Sequence, residues 1–182
     1  MRHARLINYA LYQAGWFACV LGAAWHRPWA GFLIALTLVG AHLALSDDRG
    51  LEARLVVLAA TVGLVVEMTQ IAGGTYRIAS GSLVDALPAP WLMVLWAQFA
   101  TTFRFSLRAV MLRPLRAAAL GAAGGPLAFL AGERLEAVVL LPPLTHSLLR
   151  LALCWGVALL VFSMVVRRVT TELAEPRYRS AT

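Results

Sequence analysis

One carboxyl group stands inside a long apolar run. Glu67 lies between Leu55 and Gly74, with Gln70 three residues on. Residues three and four apart share a helix face. An ionisable group at the centre of a membrane helix costs on the order of 3 kcal/mol by insertion scales unless it finds a partner. Two chemistries suit such a group: proton transfer as a general acid or base, or a polar clamp between helices. His42, in the run from Pro28 to Ser46, is the second candidate for proton transfer. Stepping about 100° per residue puts further polar groups on inward faces. The candidate polar pocket is Asn8, Gln13, Trp16, His42, Glu67, Gln70 and Gln98, with Glu67 and His42 as its catalytic candidates. Glu67 and Gln98 fall at similar depth and are expected to meet. Arg104 and Arg108 stand at head-group depth, where a guanidinium matches phosphate oxygens bidentately. Snorkelling to the interface is the competing reading for both. No two histidines have ligand spacing, so no metal site is expected, and no cofactor is evident.

The elements that must position these groups follow from composition. Of 182 residues, 60% are hydrophobic and 14% charged, against about 25% charged in ordinary soluble domains. Mean hydropathy is +0.74. A soluble globule, a disordered chain and a disulfide scaffold are excluded. Six apolar runs are long enough to cross a bilayer: about 6–25, 28–46, 55–74, 90–107, 115–132 and 147–166. The expected fold is an all-α membrane protein, a single polytopic domain over 1–182 built as a bundle of about six transmembrane helices. A membrane barrel is excluded because short alternating segments are absent. Asn8, Gln13 and Trp16 make the first run a poor signal-peptide core, so it is read as a retained span.

All 16 basic residues are arginine and the formal charge is +7. The arginines flank apolar runs, which argues for topology and against a nucleic-acid partner. With the amino terminus inside, twelve arginines (including Arg177 and Arg179) face the cytoplasm against four outside. That excess places both termini in the cytoplasm. Cys19 and Cys154 sit in apolar runs and read as small filler. Gly121 and Gly125 make a GxxxG step for close helix packing, and Pro126 is expected to bend that helix. Two outer connections are long, Thr75 to Ala89 and Glu133 to His146. The apolar run from Ala137 to Leu141 in the second is too short to span.

Three groups of residues carry a family resemblance. They are Asn8, Tyr12, Gln13, Gly15, Trp16 and Phe17; Pro90 and Trp91 followed by Trp96 and Phe99; and Gly121, Gly124, Gly125, Pro126 and Leu127 leading to Gly132. From about Leu6 to Val166 the chain resembles the bacterial inner-membrane family catalogued as domain of unknown function 2878. The resemblance implies a short multi-span inner-membrane protein of Proteobacteria. Members of that family neighbour genes for fatty-acyl modification, such as cyclopropane-fatty-acid-synthase-like methyltransferases and flavin oxidases. The resemblance therefore implies a role in membrane-lipid chemistry, as an accessory or enzymatic component of fatty-acyl modification. Its partners would be membrane lipid and a lipid-modifying enzyme. A structural scaffold for a partner membrane enzyme is the alternative. A small-molecule transporter is the third reading, although no internal repeat of the kind transporters carry is evident.

Overall fold

A proline opens three of the helices, where its missing N–H costs nothing and its fixed φ suits the first turn. The computed structural model describes residues 2–84 and 86–174. Its helices are α1 (Arg2–Ala24), α2 (Pro28–Leu45), α3 (Arg49–Ala72), α4 (Pro90–Ala100), α5 (Arg108–Met111), α6 (Pro114–Arg134) and α7 (Leu144–Ala174). Prolines start α2, α4 and α6. Asp48 caps α3, its carboxylate accepting from the Leu51 N–H at 3.1 Å. Arg177 and Arg179 lie outside the described residues.

Four helices are long and apolar enough to cross a membrane: Pro28–Leu45, Arg49–Ala72, Pro114–Arg134 and Leu144–Thr170. Helix α1 has 23 residues but is diluted by Asn8, Tyr9, Tyr12, Gln13 and Trp16. Helix α4 has only 11 residues, about 16 Å, roughly half of the ~30 Å hydrocarbon core. The run expected as one helix over 90–107 thus breaks at Ala100. The cause is local. The hydroxyls of Thr101 and Thr102 take the carbonyls of Gln98 and Phe99 at 2.7 and 2.6 Å. The backbone N–H groups of residues 101–103 then bond three residues back instead of four. Such back-bonding competes with the helical ladder. Thr101, Thr102 and Phe103 are buried, so this irregular backbone is shielded by protein, as apolar surroundings require.

The all-α expectation is corrected at one place. β1 (Tyr76–Ile78) pairs antiparallel with β2 (Val138–Leu140), with Tyr76 opposite Leu140. The two long connections therefore join into one ribbon, and the short apolar run is half of it. Val138 and Leu140 are buried this way.

Small residues set the packing. A Cβ on Gly121 would lie 2.3 Å from the Trp155 carbonyl oxygen, and one on Gly125 would lie 2.4 Å from the Trp155 ring. Helices α6 and α7 can approach closely only because both positions are bare. Gly31 plays the same part against Ala18 between α2 and α1, and Gly63 against Trp96 between α3 and α4. Helix α6 continues through Pro126 to Arg134. Large apolar side chains such as Leu33, Val57, Val65, Leu127, Leu153 and Val157 point outward. That surface suits hydrocarbon rather than water.

Candidate functional site

Glu67 is wholly buried and both of its oxygens are used. The Trp96 indole N–H donates to Oε1 at 2.8 Å, and the Tyr76 hydroxyl donates to Oε2. Burial, with Glu67 beside it, holds the Tyr76 phenol well above its usual range, so it remains a donor at physiological pH. Glu67 thus ties α3 to α4 and to the ribbon. Gln98 does not join it. Its Nε2 donates to the Leu11 carbonyl at 3.1 Å, fixing α1 against α4. Gln70 turns to its own loop, accepting from the Thr75 hydroxyl at 2.7 Å. The expected Glu67–Gln98 contact is replaced by these three separate ties.

His42 belongs to a second cluster at the other end of α3. Its Nε2 lies 3.1 Å from Glu52 Oε2, and Arg104 donates to Glu52 Oε1 at 2.9 Å. Glu52 is 1% exposed while Arg104 is 29% exposed. The His42 ring also meets Phe105 edge-on at 5.2 Å. Sequence reasoning missed Glu52, which it left in the connection before the third run. Asn8 is close in sequence depth but makes its own set of bonds. Its amide donates to the Thr101 carbonyl at 3.1 Å, and its Oδ1 accepts from the Ser106 hydroxyl at 2.7 Å. Asn8 therefore pins α1 to the segment that follows α4. Arg104 is committed to Glu52, whereas Arg108 is exposed with no ion pair among the described residues.

The seven residues of the expected polar pocket do not converge. Of them, Gln13 and Trp16 line a cavity of about 530 Å³. Helix α1 packs on α2 and α4, and α6 packs on α7. The cavity occupies the gap between these groups. One wall is the stripe Tyr9, Tyr12, Gln13, Trp16 and Val20 of α1, in the i, i+3, i+4, i+7 pattern of one helix face. The facing wall is the small-residue side of α6, from Leu120 to Gly132. The floor is aromatic: Trp91, Trp96 and Phe99 from α4 and Trp155 from α7. Trp96 and Trp155 stack at 4.3 Å between centroids. The polar residues that dilute α1 thus face this groove or pin the helix beside it.

The groove's lining extends along α1 and α6. Leu120 to Gly132 spans about 18 Å of helix axis. One leaflet of hydrocarbon is about 15 Å deep, half of the bilayer core. Glu67 stands behind the groove, holding Trp96 from the far side. Gly124 faces the groove openly, since a Cβ there meets nothing within 4 Å. Gly121 and Gly125 line the groove too, but their missing Cβ atoms are where Trp155 packs. Among the described residues, no group of three or more His, Cys, Asp or Glu side chains is arranged to hold a metal ion.

The family model described as "Protein of unknown function (DUF2878)" matches residues 5–161. The match takes in both walls and the floor of the groove. No curated protein and no solved structure matches the chain.

Proposed function

The chain belongs to the DUF2878 family, and we propose that it holds the tail of a membrane lipid in this groove as a component of membrane-lipid modification. The observation that carries the reading is the groove itself: about 530 Å³, walled by aromatic and small apolar residues. Ligand cavities are commonly of this size and lining. Its lining along α6 extends about 18 Å, comparable to the depth of one leaflet. The open position at Gly124 leaves room on that wall for a slender chain. Stacked aromatic rings give that chain a stiff surface to lie on.

Neither Glu67 nor His42 lines the groove. The reading therefore centres on presenting a tail to a partner lipid-modifying enzyme, with Glu67 as a positioning residue for Trp96. The setting we assign is the bacterial inner membrane. The chain crosses six times with both termini cytoplasmic, the fourth crossing being the broken segment from Pro90 through Met111. The arginine excess on one side supports that orientation.

Lipid mass spectrometry tests this on cells with the gene, without it, and with Gly124→Leu or Glu67→Gln in its place. A Cβ at 124 meets nothing within 4 Å, so a leucine there is expected to project into the groove. Deletion is expected to change the acyl-chain profile, and Gly124→Leu at normal protein level is expected to reproduce the change. Glu67→Gln is expected to give a partial change. An unchanged profile on deletion refutes the role in lipid modification. A changed profile with a fully active Gly124→Leu variant refutes the groove.

A further inference from the structure

A lipid tail entering this groove leaves one hydrocarbon medium for another, so the tail alone provides little driving force. Preference among lipids must arise at the mouths of the groove, where polar groups begin. The two mouths differ. At one end stand Glu133, Arg134 and Glu136, a mixture of signs. Glu133 there is already engaged, accepting from the Leu140 N–H at 2.8 Å.

The lining residues nearest the opposite end are Tyr9 on α1, Leu107 before α5 and Leu120 on α6. Each has an arginine at hand. Arg5 is four residues before Tyr9 and Arg116 four before Leu120, so each lies on the same helix face one turn toward the end. Arg108 follows Leu107 directly. All three are exposed and none makes an ion pair among the described residues. Asn8 brings two of them together, since its bonds to Thr101 and Ser106 hold the start of α1 beside the segment carrying Arg108. Residues 1–46 and 86–132 contain no Asp or Glu at all. Arg104 does not belong to this set, because Glu52 already neutralises it.

We propose that this collar of Arg5, Arg108 and Arg116 receives the phosphate of an anionic glycerophospholipid whose tail lies in the groove. The proposal rests on the groove reading above. Guanidinium groups match phosphate oxygens bidentately, and a phosphodiester with no compensating cation suits a mouth whose three arginines make no ion pair among the described residues. A zwitterionic lipid brings its own cation into the same field and gains less.

The test uses the full chain in mixed micelles and reads quenching of tryptophan fluorescence by brominated acyl chains. Trp16, Trp91, Trp96 and Trp155 line the groove, so a brominated tail seated there quenches by contact. Brominated phosphatidylglycerol is compared with phosphatidylcholine carrying identical tails. Phosphatidylglycerol is expected to quench at a lower mole fraction, and each of Arg5→Gln, Arg108→Gln and Arg116→Gln is expected to weaken that preference by about fivefold. Inorganic phosphate as competitor is expected to have no effect, since it has no tail. Competition by phosphate would make the collar a free-anion site and overturn the proposal. Equal quenching by both lipids would overturn it as well, as would a preference that survives all three substitutions. Gly124→Leu separates the two levels of the argument. If it lowers quenching by both lipids alike, the groove stands and the comparison of head groups decides the collar. If it changes neither, the groove reading falls and the collar proposal with it.

Discussion

Replacing Glu67 by leucine removes the acceptor of two buried donors at once. Each unsatisfied buried donor costs about 1–3 kcal/mol, so Glu67→Leu is expected to lose about 3 kcal/mol of stability. Glu67→Gln keeps one acceptor oxygen and is expected to lose about half of that. Adding Tyr76→Phe to Glu67→Leu removes one stranded donor and is expected to recover stability. Reversible unfolding in mixed micelles, followed by tryptophan fluorescence, gives all three values. No recovery in the double variant would mean that the clamp acts through packing alone. Glu52 supports a parallel expectation. It is the acceptor of both His42 and Arg104, and breaking a fully buried pair costs about 3–5 kcal/mol. Arg104 is 29% exposed, so water compensates part of the loss. Glu52→Gln is expected to cost about 2 kcal/mol after that discount. A cycle with Arg104→Met reads the coupling, and zero coupling would reduce the pair to a surface contact. Glu52 was legible in principle. It lies on the same inward stripe as Leu55, Ala59, Gly63 and Glu67, all buried on α3. A helix start at Leu55 leaves it out, whereas the Asp48 cap, four residues before Glu52, puts it in the first turn.

The helix faces were legible because burial follows the helical period closely. Gly63, Glu67 and Gln70 on α3, and Gly121 and Gly125 on α6, are all buried. What the period cannot supply is the partner. Glu67 meets a tyrosine from a strand and a tryptophan from α4, and neither registers in the spacing of α3. The break in the fourth run was hidden for a different reason. Thr101 and Thr102 are apolar enough in composition to pass inside a span, yet their hydroxyls bond backward and end the helix. Two glycines three residues apart on α6 now separate packing from groove. Gly121→Ala drives a methyl into the Trp155 carbonyl, and overpacking of this kind costs about 1–3 kcal/mol. Gly124→Ala meets no atom within 4 Å and gains up to about 1 kcal/mol of helix propensity. The two alanine variants are therefore expected to shift stability in opposite directions in the same micelle unfolding assay. Equal losses would mean that α6 needs glycine for its backbone rather than for contact with α7.

At the scale of the whole molecule, two polar clusters sit at opposite ends of α3, and the groove lies against the one built on Glu67. Trp96 is the point of contact, since it lines the groove and donates to Glu67. This arrangement has a definite orientation only if the arginine-rich mouth faces the cytoplasm. The four long apolar helices alone do not fix that, because α1 is diluted and α4 is short. The polar residues of α1 face the groove or pin the helix beside it, whereas α4 is apolar throughout but for Gln98 and is merely short. Labelling of single cysteines decides the orientation. Cys19 and Cys154 are first replaced by alanine, then one cysteine is placed at Asp47, Ser82, Arg113 or Glu136. A membrane-impermeant maleimide on intact cells is expected to label the variants at 82 and 136. The variants at 47 and 113 are expected to react only after the cells are opened. The reverse pattern would put the collar of arginines outside, against the charge rule, and would move the proposed lipid to the other leaflet. Labelling at 82 without labelling at 136 would mean that residues 90–134 do not cross as drawn. The ribbon makes that outcome a sharp one, because Tyr76–Ile78 and Val138–Leu140 are paired strand to strand and must lie on one side together.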